Sequence, residues 1–546
     1  MQNEEFVLPG GEGGVQAADI EAPSIAKSTA KMSVATTASQ VTGFLRSMAL
    51  AYALGRGLLN DTFSTANVMP NIIFELVMGG IMGSVIVPVY VQYLAEKRDD
   101  ETRHMISNLT NIVLVLAFAL SVIGSIFSPF LVHLMTIREP SKGTATMIMF
   151  FRVFAFQIMF YAMAGVFSGV LNSHRKFTMP MAAPILNNVV VIATVFGLYL
   201  PYSATNPQLA LLMLAIGTTM GVVVMALVQI PTVIKAGLRP SFALNFRHPA
   251  VKKIAILGLP MLGFTVTVQL NNYIIYMLLQ SYLGGAMAYQ NALAFFRLPY
   301  AIFAVSIATA IFPELSRFGN ANDLSSFKKT LSLGLRSTTF IVIPAAVYIA
   351  IMAEPIIGLT LQHGKFDNVG TEITAAMLTS FSAALVSFSL YNMLTRVYYS
   401  LQDTKTPMII GVVSVPLQIA SSFLLIGSFG MTALPLAYAL ALSFGVVIQL
   451  YILKRKIGSI GASIILRAVV RQVAAAAVAG LVIYMTDYAI QSLALPRMLG
   501  LALEITVAGA AGVIAYLGLA LLLGVEEVDF VKRLMRRFLR AKVTET

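Results

Sequence analysis

Residues 170–181, VLNSHRKFTMPM, align without gaps with residues 397–408, VYYSLQDTKTPM. A second set of matches has nearly the same offset along the chain and pairs Leu54-Gly55 and Pro70 with Leu283-Gly284 and Pro299. Self-similarity at a fixed offset is the sequence signature of a repeated structural unit. The sequence therefore predicts two copies of one six-helix unit, with chance similarity between apolar segments as the alternative.

The composition indicates that this duplicated unit lies in a membrane. Of 546 residues, 58% are hydrophobic and 11% are charged, against roughly 25% charged residues in soluble domains. Apolar runs of about 20 residues, each long enough to cross the hydrocarbon layer as a helix, recur along the chain. We predict an all-α polytopic membrane protein with about 14 transmembrane helices, centred near residues 45, 80, 120, 158, 190, 220, 267, 305, 342, 386, 417, 443, 476 and 511.

The distribution of positive charge predicts the orientation of these helices. With the N-terminus in the cytoplasm, 28 of the 37 Lys and Arg residues fall in cytoplasmic segments, 5 in outer loops and 4 inside spans. Positive residues favour the cytoplasmic side, and an even number of spans places both termini there. The net charge of +13 then follows from topology, so we expect no nucleic acid partner. The predicted location is the bacterial cytoplasmic (inner) membrane.

The offset between the two copies also predicts the domain organisation. It covers six spans, so both copies enter the membrane in the same direction, as parallel repeats of two-lobed transporters do. We predict a disordered cytoplasmic N-tail at 1–31, an N-lobe at 32–237 (helices 1–6), a C-lobe at 250–455 (helices 7–12), helices 13–14 at 464–524, and a basic amphipathic cytoplasmic C-tail at 525–546. We expect the C-tail to lie on the anionic inner leaflet.

The sequence lacks the motifs that catalytic and metal sites require. It contains no cysteine, and its five histidines are too scattered to form a metal-ligand pair on one helix turn. A phosphate-binding loop, a carboxylate pair, a nucleophile elbow and a metal cluster are likewise missing from it. We therefore predict that the protein is not an enzyme and that it uses no cofactor or metal.

Span one carries the clearest candidate for a functional site. A polar stripe with spacings of three and four residues occupies one helix face and consists of Thr36, Ser39, Gln40, Gly43, Arg46 and Ser47. A charge near the bilayer centre costs about 2.5–3.5 kcal/mol or more, so it usually faces a bundle interior or a watery cavity. One interpretation is that Arg46 binds a phosphate in a central cavity. The alternative is that Arg46 pairs with a carboxylate such as Glu75 and holds helices together.

The second lobe offers a corresponding cation, Arg297 in span eight, two residues before Pro299. A cation from each lobe would suit a diphosphate held between them. The alternative is that Arg297 extends to the membrane interface. Span seven adds Gln269, Asn271 and Asn272, whose amides suit hydrogen bonding to a sugar or, equally, between helices.

Three further ionisable residues are candidates for coupling or gating. Asp61 lies in the outer turn after span one, and Glu75 lies in span two. For Asp61, a cap at the start of the span-two helix is the alternative. We expect Arg152, in the middle of span four, to face the interior of its lobe, with a structural salt bridge as the alternative.

Several stretches of the chain occur together, in the same order, in one known family. They are Ser39 to Arg46, Asp61 to Asn71, Gly169 to Pro184, Thr309 to Arg317, His363-Gly364-Lys365-Phe366 and Tyr399 to Pro407. Over about residues 33–525 the chain resembles the MurJ (MviN) family of lipid II flippases, within the superfamily of multidrug, oligosaccharidyl-lipid and polysaccharide exporters. The run from Asn71 to Gly80 is more similar to the actinobacterial branch than to the enterobacterial one.

The resemblance implies a substrate and a mechanism. The substrate is lipid II, the undecaprenyl-diphosphate-linked disaccharide-pentapeptide, which moves from the inner to the outer leaflet by alternating access for peptidoglycan synthesis. The resemblance also implies that cationic residues of a central cavity bind the diphosphate. The resemblance implies that this happens while the two lobes rock between inward-open and outward-open states. Arg46 and Asp61 stand at positions that match the family pattern, so this expectation of binding and rocking extends to them.

Three positions depart from the family pattern. Gln40 and Phe74 stand where basic residues are usual, and Ala294 stands where span eight usually has an arginine. Arg297 follows Ala294 by one helical turn, about 4.5 Å along the axis, and keeps about the same face. We therefore expect the positive charge of span eight to be displaced rather than lost.

Two other functions stay open at this point. One is export of another polyprenyl-linked glycan or of drugs, although a drug exporter favours acids and aromatics in its cavity, whereas Arg46 and Arg297 favour an anion. The other is a non-transporting scaffold for cell-wall enzymes. We expect lipid II and membrane lipids as partners, with cell-wall synthesis or division proteins as further candidates. The membrane potential, H⁺ and Na⁺ are candidate energy sources.

Overall fold

The computed structural model describes residues 22–75, 99–136, 143–174, 176–236, 244–247, 265–493 and 495–528. These residues form helices and short connections and contain no strand. Four predicted features lie wholly or partly outside them: the N-tail, most of span two, the first part of span seven, and the C-tail after residue 528. Residues 22–31 of the predicted N-tail are helical, whereas the disorder of residues 1–21 and the amphipathic helix of the C-tail stay predictions.

The described residues of the N-lobe form ten helices. Span one is α1 (Ala22–Leu54), and the described part of span two is α2 (Leu58–Phe74). The remaining helices are α3 (Asp99–Ile126), α4 (Ser128–Met135), α5 (Thr144–Phe154), α6 (Gln157–Ser173), α7 (Thr178–Thr194), α8 (Leu200–Ser203), α9 (Pro207–Leu227) and α10 (Ile230–Lys235). A π-helical turn, Val195–Tyr199, joins α7 to α8.

Seven helices lie in the described part of the C-lobe, and three more follow before residue 528. The C-lobe helices are α11 (265–279), α12 (Gly285–Pro299), α13 (Val305–Asn320), α14 (Leu324–Leu361), α15 (Asn368–Ser400), α16 (Lys405–Phe429) and α17 (Ala433–Ile457). Predicted spans thirteen and fourteen are α18 (Ala462–Gln491) and the pair α19 (Arg497–Leu503) and α20 (Gly509–Leu522), which a π-helical turn, Glu504–Ala508, connects.

Membrane-spanning length recurs throughout the described residues. Ten segments there are long and apolar enough to cross a membrane, and one of them, Lys405–Ile457, contains both α16 and α17. The predicted all-α polytopic architecture is therefore confirmed. The count of 14 helices and the domain boundaries stay predictions, because span two and part of span seven lie outside the described residues.

The helix ends repeat with the offset of the sequence. In the N-lobe α6 ends at Ser173 and α7 begins at Thr178, and in the C-lobe α15 ends at Ser400 and α16 begins at Lys405. Both pairs of positions are separated by the same offset as the aligned segments 170–181 and 397–408. The aligned residues therefore form equivalent helix connections, which supports the duplication.

Aromatic packing fixes the helices that carry the polar residues of span two. Phe63 of α2 meets Phe150 and Phe154 of α5 edge to face, with ring centroids 5.5 and 5.6 Å apart. All three rings are almost fully buried, and such pairs contribute about 0.5–1.5 kcal/mol beyond area burial. This packing holds one face of α2 against α5 and leaves its polar residues to face the C-lobe.

The C-terminal helices pack against α14. Tyr516 of α20 donates a hydrogen bond to the backbone oxygen of Phe340 at 2.8 Å. Small residues permit close approach of the helices, since a Cβ added at Gly480 would lie 2.8 Å from Val347, as is common at membrane helix interfaces. At the predicted cytoplasmic end, Arg336 of α14 pairs with Glu527 at 2.7 Å.

The connection between α15 and α16 contains a carboxylate with several hydrogen bonds. Asp403 accepts from the Thr406 hydroxyl at 2.6 Å, from the Thr406 backbone N–H at 3.0 Å, and from the Lys456 ammonium. Burial opposes ionisation of Asp403, but the hydrogen bonds from Lys456 and Thr406 outweigh it and lower its pKa to about 2. The charged carboxylate therefore ties the start of α16 to the end of α17.

Replacing Asp403 with asparagine is expected to lower the free energy of unfolding by about 1 kcal/mol at pH 7. Because the folded pKa of about 2 lies below the ordinary value of 3.8, the stabilisation is present above about pH 4 and is lost as the pH falls toward 2. Thermal unfolding in detergent at pH 7 and pH 3 measures both variants. A difference in melting temperature that does not shrink at pH 3 would contradict this assignment.

Candidate functional site

A cavity of about 490 Å³ lies between the N-lobe and the C-lobe. Helices α1, α2 and α6 line it from one side, and α11, α12, α16 and α17 line it from the other. Its polar lining consists of Gln40, Arg46, Ser47, Asn60, Ser64, Asn67, Asn71, Asn271, Asn272, Gln290, Asn291, Arg297 and Gln418, together with Tyr161, Tyr276, Tyr289 and Tyr438. Among the described residues that line it there are two arginines and no carboxylate.

The polar stripe of α1 divides between this cavity and a helix interface. Gln40, Arg46 and Ser47 line the cavity. Ser39 does not, because its edge of the stripe packs against α7, where the Asn188 amide donates to the Ser39 backbone oxygen at 3.4 Å and to the Thr42 hydroxyl at 3.0 Å. The prediction that this face avoids lipid fits the structure, whereas Ser39 is not a cavity residue.

Arg46 reaches the cavity with an unsatisfied donor. Its Nε atom is buried and has no hydrogen-bond partner. Arg46 forms no salt bridge with any described residue. The alternative prediction, an ion pair between Arg46 and Glu75, is therefore wrong. A buried guanidinium nitrogen without a partner carries a desolvation penalty, and an anion in the cavity would relieve it.

Arg297 faces the same cavity from the C-lobe. The helix α12 contains Pro299, which lacks an N–H for the backbone ladder, and a π-helical turn, Tyr300–Ala304, follows it directly. Ala294 and Arg297 both line the cavity. The displacement of the usual arginine by one helical turn therefore keeps the positive charge of span eight inside the cavity.

Asp61 closes the lobe interface next to this cavity. Its Oδ2 atom accepts from the Gly284 N–H at 2.5 Å, and its Oδ1 atom accepts from the Met287 N–H at 3.1 Å. The cap position of its own helix is Gly57, so the alternative of a cap on span two is wrong. Asp61 instead caps α12 of the opposite lobe, where a negative charge also suits the positive end of the helix dipole.

Further contacts between the lobes surround Asp61. The Gln280 amide donates to the Thr65 hydroxyl at 2.7 Å, and the Lys365 N–H donates to the Tyr52 backbone oxygen at 3.0 Å. Arg56 pairs with Asp367 at 3.5 Å. We call this set of contacts, with those of Asp61, the outer gate, because the predicted orientation places it on the outer side. In this conformation the outer gate is closed.

Two glycines make the approach of the lobes at the outer gate possible. Gly55 and Gly364 both have positive φ, 65° and 62°, a conformation that other residues rarely adopt. A Cβ at Gly55 would overlap the Lys365 backbone oxygen, and one at Gly364 would lie 2.6 Å from the Tyr52 backbone oxygen. Gly364 belongs to the motif His363-Gly364-Lys365-Phe366. The close contact with Tyr52 explains why this position of the motif is a glycine.

Comparison with known proteins identifies the family. A family model described as lipid II flippase MurJ matches residues 50–501. The chain belongs to the lipid II flippase MurJ family. A Vibrio cholerae relative named probable lipid II flippase MurJ is 30% identical over 524 residues, covering 92% of this chain and 97% of the relative. The lipid II flippase MurJ of Burkholderia cenocepacia is 28% identical over 408 residues, covering 73% and 78%.

Solved structures share the fold of this MurJ family member. The structure of a lipid II flippase MurJ in an inward closed conformation superposes with a TM-score of 0.76 at 23% identity, covering 92% of this chain and 99% of that one. An inward-facing multidrug resistance transporter of the MATE family superposes with a TM-score of 0.63 at 13% identity, covering 77% and 95%. The chain therefore shares its fold with both of these transporters. A multi-pass membrane location follows from the family.

Two of the residues predicted to take part in coupling or gating, Arg152 and Glu75, do not line the cavity. Arg152 is exposed, and its Nε donates to the Ser128 hydroxyl at 3.2 Å, so the expectation that it faces the lobe interior is wrong. The long side chain is exposed over much of its surface while its Nε reaches the buried Ser128 hydroxyl at the start of α4. Glu75 is half-buried at the edge of the described residues and does not line the described cavity.

Sequence reasoning missed several lining residues of the MurJ cavity. Gln418 of α16 lies within an apolar run, where a polar side chain is costly. The argument that was applied to Arg46 would therefore also have predicted that Gln418 faces a cavity or a helix interface. Tyr161, Tyr289 and Tyr438 gave no such signal, because tyrosine is amphipathic and is common at the ends of membrane helices without lining a cavity. Only the arrangement of the helices brings them into one cavity.

An apolar crevice of about 490 Å³ lies on the opposite face of α1 from the cavity. It is lined by Leu45, Met48, Ala49, Tyr52, Ile192, Phe196, Thr360, Leu361 and His363. These residues come from both lobes, so α1 separates a polar cavity from an apolar surface at the lobe interface. The arrangement suits a ligand with a polar head and a long apolar chain.

Proposed function

We propose that this protein moves lipid II from the inner to the outer leaflet of the cytoplasmic membrane for peptidoglycan synthesis. The observation that supports this function best is the cavity between the lobes, whose described lining contains Arg46 and Arg297 and no carboxylate. A diphosphate would receive charge-assisted hydrogen bonds from both guanidinium groups, which are suited to phosphate geometry. The crevice beyond α1 offers an apolar surface for the prenyl chain.

The outer gate provides the conformational change that transport requires. While Asp61 caps α12, the cavity is closed toward the predicted outer side. Release of this cap and of the contacts around it would let the lobes separate there and expose the cavity to the outer leaflet. Transport by alternating access then consists of exchange between this closed gate and an open one.

The barrier that the protein lowers is the transfer of a charged, hydrated headgroup through hydrocarbon. Polar groups buried without hydrogen bonds cost several kcal/mol each, and lipid II carries many of them. The cavity replaces part of their hydration with amides, hydroxyls and two arginines. For direction, the membrane potential contributes about 2.3 kcal/mol per charge per 100 mV, and H⁺ and Na⁺ are the other candidate energy sources.

The remaining expectations belong to the same proposal. The protein acts as a transporter without covalent chemistry and without a cofactor, and both termini lie in the cytoplasm, where the basic C-tail contacts anionic lipid. Cell-wall synthesis or division proteins are candidate partners there. Nucleic acid has no part in this function.

Rescue of cells that are depleted of their own lipid II flippase tests the proposal. Outer-leaflet lipid II is scored by its accessibility to an externally added probe, with membrane abundance of the protein measured in parallel. The expected result is growth and restored labelling. Failure of a well-expressed wild-type chain to restore labelling would favour another polyprenyl-linked glycan, and rescue of growth without labelling would favour a scaffold.

A further inference from the structure

Two buried amides of the C-lobe face each other at the wall of the cavity. Asn271 lies on α11 and is 8% exposed, and Gln418 lies on α16 and is 5% exposed. The Asn271 Nδ2 donates to the Gln418 Oε1 at 3.2 Å. Both residues line the cavity, so this amide pair forms part of its C-lobe wall.

The single hydrogen bond of this amide pair leaves two polar atoms over. The Asn271 Oδ1 is a buried acceptor without a partner, and the Gln418 Nε2 is a buried donor without a partner. This result does not depend on how the amide nitrogen and oxygen atoms are assigned. If both amides were turned over, they would still share one hydrogen bond and still leave one donor and one acceptor.

Buried polar atoms without a hydrogen-bond partner are uncommon, and they are usually explained by a bound ligand, an ordered water or local strain. Here they lie beside a cavity that the proposed function fills with cargo. The terminal amide torsions have broad minima, so a small rotation brings the free donor and the free acceptor to the cavity surface. The pair then presents one N–H and one C=O side by side, with no net charge.

We propose that the Asn271–Gln418 pair binds a secondary amide of the cargo, namely the acetamido group of a sugar. This inference rests on the proposed function, because it adds a second subsite to the same cavity. A secondary amide offers one rigid donor and one rigid acceptor, which matches what the pair leaves free. A phosphate offers acceptors only, so it would leave the Asn271 Oδ1 without a partner.

The two subsites divide the recognition of the cargo. Arg46 and Arg297 bind the diphosphate that every polyprenyl diphosphate carries. The amide pair distinguishes headgroups, because a site built around buried polar atoms discriminates against a ligand that leaves them unpaired. An acetamido sugar and a plain hydroxyl sugar on the same lipid should therefore bind with different affinity.

Native mass spectrometry of the purified full-length protein with three lipids tests this inference. The lipids are undecaprenyl diphosphate, undecaprenyl diphosphate glucose and undecaprenyl diphosphate N-acetylglucosamine, of which the last two differ only in a hydroxyl and an acetamido group. The wild type is expected to bind the acetamido lipid about tenfold more tightly than the glucose lipid, an effect of the size of one or two hydrogen bonds. Gln418→Leu is expected to bring this ratio close to one and to leave the affinity for undecaprenyl diphosphate unchanged.

Two more variants keep the test decisive. Gln418→Met keeps an unbranched side chain of similar length but removes the amide donor and adds no charge, so it is expected to lose the ratio even if the leucine variant folds poorly. Gln290→Leu changes an amide that lines the cavity outside the pair, and it is expected to keep the ratio.

The inference is overturned if the wild type binds both sugar lipids equally, or if both Gln418 variants keep the ratio. It is also overturned if Gln290→Leu lowers the ratio as much as they do. Failure of the proposed function has a different signature, since outer-leaflet lipid II would then not be restored in the flippase-depleted cells, whatever ratio the two sugar lipids give.

Discussion

Replacing Arg46 or Arg297 with alanine is expected to lower the rate of lipid II export by roughly ten- to a hundredfold. A hydrogen bond to a charged group contributes about 1.5–3 kcal/mol, and each arginine is the one described cation that its lobe contributes to the cavity lining. The double variant is expected to lose export altogether. The measurement is outer-leaflet lipid II in flippase-depleted cells, compared at equal membrane abundance.

Arg152→Ala is the matched control for these arginine variants. Arg152 also lies in a predicted span, but it is exposed and hydrogen-bonded to Ser128 outside the cavity. It is therefore expected to export at nearly the wild-type rate. Lysine at position 46 or 297 keeps the charge but not the planar fork, so it should restore part of the rate. Normal export by both alanine variants would remove the arginines from the mechanism.

The sequence contained the information for the fold and for half of the cavity. Apolar runs of membrane-spanning length and one recurring offset between matched segments sufficed for the helical architecture and its duplication, because membrane helices satisfy their own backbone and are read locally. The location of the arginines was also predictable, since a charged residue inside a span usually faces a bundle interior or a watery cavity. The structure places both Arg46 and Arg297 in one cavity.

Contacts between distant elements were not predictable from the sequence. Aspartate is a common helix-capping residue, and only the folded chain shows that Asp61 binds the backbone N–H of Gly284, 223 residues later, at the start of α12. The prediction for Arg152 was wrong because the position of a residue along a span does not reveal in which direction a long side chain extends. Hydropathy gives the depth of a residue, whereas its partner depends on how the lobes meet.

Asp61→Asn is expected to open the outer gate and to lower export by about tenfold or more. Asparagine keeps one acceptor oxygen but turns an N–H₂ donor toward one of the two backbone N–H groups of Gly284 and Met287. It also removes the negative charge at the start of α12. Loss of a charged hydrogen bond costs about 1.5–3 kcal/mol and loss of the dipole interaction about 0.3–1 kcal/mol, so the closed conformation becomes less populated by about tenfold or more.

The chain contains no cysteine, so a single introduced thiol reports the state of the outer gate without background. Gln290→Cys places this thiol in the cavity, and a membrane-impermeant maleimide added from outside is expected to label it about tenfold faster when Asp61→Asn is also present. Asp367→Asn is the control at the same gate, because the pair with Arg56 is partly exposed and weak, and asparagine still caps α15. Equal labelling rates with and without Asp61→Asn would show that the cap on α12 does not hold the gate, and the closed conformation would then depend on the glycine-mediated contact between Gly55 and Lys365 instead.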